Sequence, residues 1–372
     1  MKRLVLVGGG HAHLHVLADL ATRRLADVDV TLVSPSRWHH YSGMVPGFLQ
    51  GTYAETDLAI DLPALAGRAR VRVVQAAGRR IDVDGRAVET AEASLPFDVL
   101  SLDVGADPGG LSVPGAAEHA MTIRPLRQAI EVRARVDARA ATGHRGPVRL
   151  TIVGAGAGGV EVALVLHRRI RDAGHRPEVT LIEAAPDVLP AYEATARRRA
   201  AGILARRGVA VVLGSAVDRV ESGAVSLADG RRVSADLVVW LVGATGPRLF
   251  GGAGLPLDDR GFLLVDATLQ AVSGAPIWGA GDCVTLADHP RTPKAGVYAV
   301  RQGPVLARNL RAALGHGRPA KYVPQRTFLS LLNTADGKAL LRWHGLVSHS
   351  RFAWRLKDFI DRRFVARYRG RV

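Results

Sequence analysis

Arg149-Leu-Thr-Ile-Val153-Gly154-Ala-Gly156-Ala-Gly-Gly159-Val160-Glu161 is the stretch on which the fold turns. An apolar run that reads as a strand feeds a complete G-x-G-x-x-G, and a helical pattern follows from Val160 to Ala173. Each glycine has its own duty: the first makes the tight turn, the second lets backbone approach a pyrophosphate, and the third lets helix pack on strand. The helix then aims its positive end at the phosphates. A strand from Glu178 to Glu183 completes the βαβ unit, with Glu183 at its end. A carboxylate there accepts from both ribose hydroxyls of an adenosine and repels a 2′-phosphate, so NADH is expected over NADPH.

The chain opens in the same grammar. A strand at Leu4 to Val7 runs into Gly8-Gly9-Gly10-His11-Ala12-His13, then a helix through Ala26 and a strand at Val28 to Val33. His13 stands where the third glycine is expected, and Val33-Ser34-Pro35 lacks the usual acid, which leaves Ser34 as the ribose partner. Late in the chain, Ile277-Trp-Gly-Ala-Gly281-Asp282 delivers one carboxylate at a glycine turn. Such an Asp can bind a hydroxylated chain like the ribityl of a flavin, or it can simply cap a helix. Two separate units imply two nucleotide folds, not a repeat array.

Between and after the units lie a polar segment at 68–98, a strand at Val99 to Val104 and a helix at Pro125 to Thr142. The apolar run Asp236 to Gly243 and a helix from Ala295 to Leu314 follow. The fold class expected is α/β: two Rossmann-like dinucleotide-binding domains, the second inserted in the first, plus a small C-terminal region.

Composition narrows the function. The chain has 372 residues, 48% hydrophobic and 23% charged, which suits two or three packed domains. No apolar run approaches the ~20 residues that cross a bilayer, and the N-terminus lacks a signal-peptide pattern, so a cytoplasmic protein is expected. The net charge of +16 comes almost wholly from arginine, with only five lysines, and the arginines are dispersed, so no nucleic-acid partner is expected. The single cysteine, Cys283, excludes an internal disulfide, a C-x-x-C redox pair and any multi-cysteine metal site. His11, His13 and His15 alternate, but on a helix His13 points away from the other two, so no metal is expected.

These motifs resemble the two-dinucleotide flavoproteins of the pyridine nucleotide-disulfide oxidoreductase superfamily, among them type II NADH dehydrogenases and sulfide:quinone reductases. The likeness covers residues 1 to about 315. It rests on both glycine turns, Gly279-Ala-Gly-Asp282-Cys283, Val242-Gly243-Ala-Thr-Gly-Pro247 and Pro293-Lys294. The opening Gly-Gly-Gly-His-Ala-His and the loop Tyr41-Ser42-Gly43-Met44-Val45-Pro46-Gly47 look closer still to the flavoprotein module fused to selenide, water dikinase in some organisms. The resemblance implies FAD and NADH as cofactors. It implies an FAD domain made of 1–120 and 265–318, an NAD(P)H domain at 121–264, and a C-terminal region at 319–372. It puts Asp282 on the flavin ribityl, the helix after Ala295 at the flavin pyrimidine, and Glu161 near the nicotinamide.

The cofactor contacts expected are thus Gly8, Gly10, His11, Ala12, Ser34, Tyr41, Met44, Gly281, Asp282, Lys294 and Ala295 for FAD. Those for NADH are Gly154, Gly156, Gly159, Glu161, Glu183 and Gly243. Lys294 and Glu161 are the catalytic candidates, and Lys294 and His11 the groups expected to tune the flavin. One departure is marked: where type II dehydrogenases carry glutamines beside the quinone, this chain has Val297 and Arg301, leaving Gln302. The function expected is transfer of electrons from NADH through FAD to a quinone-like acceptor, without a redox disulfide. A selenium- or sulfur-linked flavin reductase and an NADH-sensing or docking flavoprotein are the alternatives.

From Arg351 to Val372 eight basic residues (Arg351, Arg355, Lys357, Arg362, Arg363, Arg367, Arg369, Arg371) interleave with Phe352, Trp354, Leu356, Phe359, Ile360, Phe364 and Tyr368. The spacing predicts a basic amphipathic helix, which either lies on an anionic membrane at the inner face of the cell membrane or packs its aromatic face on the flavin domain. Homodimerisation is left open.

Overall fold

Leu4, Val5, Leu6 and Val7 are all buried although successive side chains leave a strand on opposite faces. A strand covered on both sides is what a parallel sheet between helix layers requires. The computed structural model describes residues 1–141 and 146–369, and in it Lys2–Val7 is the middle strand of five. The order across the sheet is Ile277–Gly279, Val99–Leu102, Lys2–Val7, Val28–Val33, Arg72–Val74, all parallel. The chain reverses its direction of travel at Lys2–Val7, and in open α/β sheets ligands bind at the carboxyl ends of the strands flanking that point. The strand ends that meet there lead into Gly8, Asp103 and Gly281.

A second parallel sheet repeats the plan in the order Ala120–Met121, Leu237–Trp240, Val148–Val153, Pro177–Glu183, Ala210–Leu213. Its glycine turn opens the helix Ala157–Asp172. A short antiparallel ladder, Asp107–Pro108 with Ala244–Thr245, ties the two halves together.

Some boundaries differ from the sequence reading. The first helix is His11–Thr22 and stops short of Ala26, because Thr22 turns its hydroxyl back onto the carbonyl of Asp19 (3.0 Å) and the Arg23 amide closes the last turn on the same oxygen (2.8 Å). The strand at Val99 ends at Leu102, since Asp103 turns into the sheet crevice. The polar segment 68–98 contains a strand of the first sheet and a three-stranded antiparallel ribbon, Arg80–Asp82, Ala87–Glu89 and Ser94–Pro96. The helix expected to end at Thr142 runs Leu126–Ala141, and Thr142 itself lies outside the described residues, as does Arg371.

The C-terminal region is a three-stranded antiparallel sheet, Ser330–Asn333, Ala339–Trp343 and Leu346–Ser350, followed by the helix Arg351–Arg369. That helix packs on the first domain. Tyr53 donates its hydroxyl to Asp358 (2.7 Å), Arg68 donates to the carbonyl of Tyr368 (2.7 Å), and Phe364 stacks on Tyr41 with ring centres 4.3 Å apart. Lys357 and Asp361 are both buried and paired at 2.9 Å, one helical turn apart, and the ammonium also donates to the carbonyl of Gly43 (2.8 Å). No helix among the described residues is long and apolar enough to cross a membrane.

Removing one partner of a buried pair strands the other charge, so Lys357→Met is expected to cost about 3–5 kcal/mol in urea unfolding. The double change Lys357→Met/Asp361→Leu is expected to recover much of that loss. A single substitution as mild as a surface one, below ~0.5 kcal/mol, would show that the pair contributes nothing.

Candidate functional site

The second glycine turn is built as its motif demands. Gly154 has φ +102°, and a Cβ there would press on the carbonyl of Leu241, 2.6 Å away. A Cβ on Gly159 would fall on the carbonyl of Gly154, whereas Gly156, the helix N-cap, faces open space. The turn borders a cleft of about 390 Å³ lined by Gly154, Gly156, Glu183, Ser215, Trp240 and Gly243, among others. Glu183 is the only charged side chain in that lining among the described residues. Its two oxygens accept the amides of Ala155 (2.7 Å) and Ala185 (3.0 Å), which fixes the carboxylate at the rim with lone pairs left for ribose hydroxyls.

The first turn reaches a similar shape by other means. Where Gly159 packs backbone on backbone, His13 inserts an imidazole: Nδ1 lies 2.6 Å from the carbonyl of Gly8 and Nε2 lies 2.8 Å from the hydroxyl of Ser101. A carbonyl only accepts, so Nδ1 carries the proton and Nε2 accepts from Ser101. Burial pushes this imidazole down to about 4, so it is neutral. The helix N-terminus is capped by Asp103, whose Oδ2 accepts the amides of Ala12 (2.8 Å) and His13 (2.9 Å). Ala12 and His13 therefore give their amides to a carboxyl group of the protein, as Gly8 and Gly10 give theirs to the carbonyls of Val33 (2.8 Å) and Asp103 (3.2 Å). Sequence reading passed over Asp103, since the residue stands ninety positions away and acts through two backbone amides.

Around this turn the expected flavin contacts converge unevenly. His11 lies edge-on to His39 (4.7 Å between ring centres) and 5.6 Å from the rings of Tyr41 and Phe364. Gly296, first residue of the helix Gly296–Ala313 that Ala295 caps, stands beside Ser42 and His11: a Cβ there would meet Ser42 Oγ at 3.6 Å and His11 Nε2 at 3.7 Å. That helix thus presents its N-terminus to the same space. Asp282 is there too, paired with Arg124 at 3.2 Å, while Gln302 accepts the amide of Gly281 at 2.6 Å. Gln302 is buried and, with Gly281 and Asp282, lines a small cavity at this turn. Ser34 ends its strand as expected but donates its hydroxyl to the carbonyl of Ser36 (2.9 Å). Met44 is fully buried in the core.

Lys294 lines a small cavity with Gly281 and Asp282. Its ammonium bonds the carbonyl of Val284 and the hydroxyl of Thr285 (3.2 Å) and lies over the ring of Phe262 (3.9 Å). Burial pushes it down to about 8. Its reach is to the strand Val284–Leu286, so it fixes the loop from which the Gly296 helix springs.

Two buried nitrogens, Nε2 of His11 and Nε2 of His39, have no partner among the described residues. His39 holds the carbonyl of Gly9 through Nδ1 (2.7 Å), which leaves Nε2 as an empty acceptor. An unfilled acceptor and a second unpartnered ring nitrogen beside a glycine turn suit a ligand rich in hydroxyls and N–H groups, such as a flavin dinucleotide.

Glu161 sits where the second glycine-turn helix meets the C-terminal region. Its Oε1 accepts the amide of Asn333 at 2.6 Å, and Lys357 lies near enough to act on it. Burial pushes this carboxyl up to about 7, against the opposing pull of Lys357 and the Asn333 amide. Burial alone would lower the Lys357 ammonium, but Asp361 and Glu161 hold it above its ordinary value. Glu161, Lys357, Asp361 and Tyr41 thus connect the helix of the second turn with the loop beside the first.

Residues 2–303 match the family described as pyridine nucleotide-disulphide oxidoreductase. The chain is 25% identical to the type II NADH:quinone oxidoreductase of Staphylococcus saprophyticus over 99% of its own length and 96% of the relative's, and equally so to that of Staphylococcus aureus (strain NCTC 8325 / PS 47). Among solved structures it superposes on NDH2 from Plasmodium falciparum in complex with NADH, with TM-score 0.85 at 13% identity over 99% of this chain and 97% of that one. It superposes on the sulfide:quinone oxidoreductase of Aquifex aeolicus with TM-score 0.84 at 19% identity, covering 99% and 92%. At those identities the structures establish the fold.

Two outcomes test the site. Glu183→Gln is expected to raise KM for NADH about tenfold, the worth of a hydrogen bond to a charged group, and to narrow the NADH-to-NADPH preference, which a merely loosened turn would not do. Because Glu161 has a raised pKa in the fold, it favours folding fully only below its unfolded value of about 4.5; that advantage fades as pH rises toward about 7. Glu161→Gln is therefore expected to raise Tm relative to the wild type at pH 8.5 but not at pH 4.5, and equal shifts at both pH values would refute the assignment.

Proposed function

The chain belongs to the pyridine nucleotide-disulphide oxidoreductase family, and we propose that it is an FAD-dependent NADH dehydrogenase delivering electrons to a quinone. One observation carries the reading: two glycine turns, each at the end of a strand of its own parallel sheet, in a chain resembling type II NADH:quinone oxidoreductases along almost its whole length. We assign 1–120 with 265–318 to FAD, 121–264 to NADH and 319–372 to the C-terminal region, a division that the two separate parallel sheets support. When bound, FAD supplies the two-electron chemistry, accepting a hydride from NADH and passing electrons on.

The protein's part is to bind, orient and exclude water. Gly8, Gly10 and His11 take the FAD pyrophosphate, Ser34 its adenosine ribose and Asp282 its ribityl, with Arg124 as competitor for that carboxylate. The N-terminus of the Gly296 helix places positive potential where a reduced flavin gains negative charge. Gly154, Gly156 and Gly243 border the NADH, and Glu183 holds its adenosine ribose. Glu161, kept partly protonated near neutral pH, is the group able to hold or release a proton between the two clefts. Lys294 is a positioning residue.

Cys283 supports direct transfer from flavin to acceptor. It is buried, it donates to the carbonyl of Ala280 (3.1 Å), and burial pushes its thiol up to about 12. No second thiol exists to form a disulfide. The helix Arg351–Arg369 supports access to a lipid-soluble acceptor: Trp354, Phe364 and Tyr368 pack inward while Phe352 and Phe359 stay 71% and 60% exposed, beside Ile360 and the exposed Arg351, Arg355 and Arg363. This half-packed, half-open helix suits peripheral contact with an anionic membrane surface.

Under anaerobic conditions NADH is expected to bleach the bound flavin at 450 nm or so, as flavin chemistry requires, and a soluble quinone to restore it. Failure of NADH to bleach the flavin removes the dehydrogenase reading; bleaching reversed only by selenium or sulfur compounds replaces the acceptor. Phe352→Ser/Phe359→Ser is expected to lower sedimentation with anionic vesicles about tenfold or more, at ~0.8 kcal/mol per buried CH₂ equivalent, without lowering turnover of a water-soluble quinone.

A further inference from the structure

Asp103 leaves the end of the strand Val99–Leu102 and enters the crevice between the first helix and the Gly281 turn. It is almost wholly buried. Its Oδ2 is occupied by the amides of Ala12 and His13, while Oδ1 receives no donor among the described residues. The backbone has made room for that oxygen: a Cβ on Gly281 would come within 2.6 Å of Oδ1, and one on Gly10 would strike the same carboxyl group. A carboxyl oxygen thus stands between the turn that takes a dinucleotide's pyrophosphate and the turn that offers Asp282 to its ribityl.

Resting on the FAD reading of this cleft, we infer that Asp103 binds the cofactor in its protonated form, its Oδ1–H donating to a phosphate or ribityl oxygen, so that FAD binding takes up one proton. An ionised carboxylate only accepts, as do phosphate oxygens, and two such groups side by side in a desolvated crevice repel. The neutral acid turns that repulsion into a hydrogen bond while Oδ2 still accepts both helix amides.

The charged and titratable neighbours agree. The first helix contributes His13, neutral and committed to Gly8 and Ser101, and His11, which burial drives well below its usual value. The Gly281 turn contributes Asp282, whose charge disfavours ionisation of Asp103, and the Cys283 thiol. Arg124 is spent on Asp282 and Lys294 on Val284 and Thr285, while Gln302 is neutral. Burial already pushes Asp103 up to about 7 before a phosphate arrives, against the pull of the two amides. A pyrophosphate adds negative charge and raises it further. By linkage, FAD affinity is full below pH about 7 and falls about tenfold per pH unit above it, levelling off at the higher value set by the loaded state.

The test is the rate and extent of flavin release from the FAD-loaded protein between pH 6 and 9, read by the rise of free-flavin fluorescence. The wild type is expected to bind progressively more weakly above neutrality. Asp103→Asn, which keeps one acceptor and gains a fixed donor, is expected to be flat with pH and at least tenfold tighter than the wild type at pH 8.5. A flat wild-type profile, or a D103N profile with the same slope, overturns the inference and leaves the FAD reading intact; a protein that never retains FAD removes that reading itself. If D103N does not fold, the infrared spectrum of the FAD-loaded Glu161→Gln protein decides. A protonated-carboxyl band persisting at pH 8.5 supports the inference, and its absence overturns it.

Discussion

The carboxyl group of Asp103, gripping two amides at the start of the first helix, is the contact on which the first cleft depends. It holds together a helix terminus, a strand end and a glycine turn drawn from three distant parts of the chain. Parallel sheets make such meetings possible, because every strand delivers its following residue to the same edge. The second cleft follows the commoner solution, with glycine against glycine and a carboxylate, Glu183, at the rim.

The C-terminal region joins the two clefts. Its sheet receives Glu161 through the amide of Asn333, and its helix reaches the first domain through Lys357, Asp358, Asp361 and Phe364. Glu161 and Lys357 stand opposite one another in this joint, each shifting the other's proton affinity. A charge change on either residue is therefore felt by the other across this buried joint.

Local features were the legible ones. Gly154 to Gly159 declares itself because all its requirements lie within six residues, and Glu183 follows at the next strand end. The helix at 351 was visible from its spacing, but amphipathicity has no preferred partner, so which aromatics pack and which stay open emerged only in three dimensions. Asp103 left no local signal, since its work is done on amides of a distant segment. Lys294 was read as facing the cofactor and Gln302 as the glutamine left beside the quinone, both from their neighbourhood in sequence; Gln302 accepts the amide of Gly281 and Lys294 holds a strand. Those orientations are decided by which neighbours need a partner, a question that spacing does not pose. His13 is the reverse case: an apparent defect in a motif became intelligible once Ser101 and the Gly8 carbonyl were seen to complete it.

Cys283 is sealed in the core beneath the Gly281 turn, bonded to backbone carbonyls and far from any thiolate character at neutral pH. Thiol-directed reagents thus meet an essentially silent background on the native chain. A cysteine introduced at one exposed position, such as Phe352 or Arg23, becomes the sole handle for a spin label or fluorophore. The motions of the two halves and of the final helix can then be followed without first stripping the protein of its own sulfur chemistry.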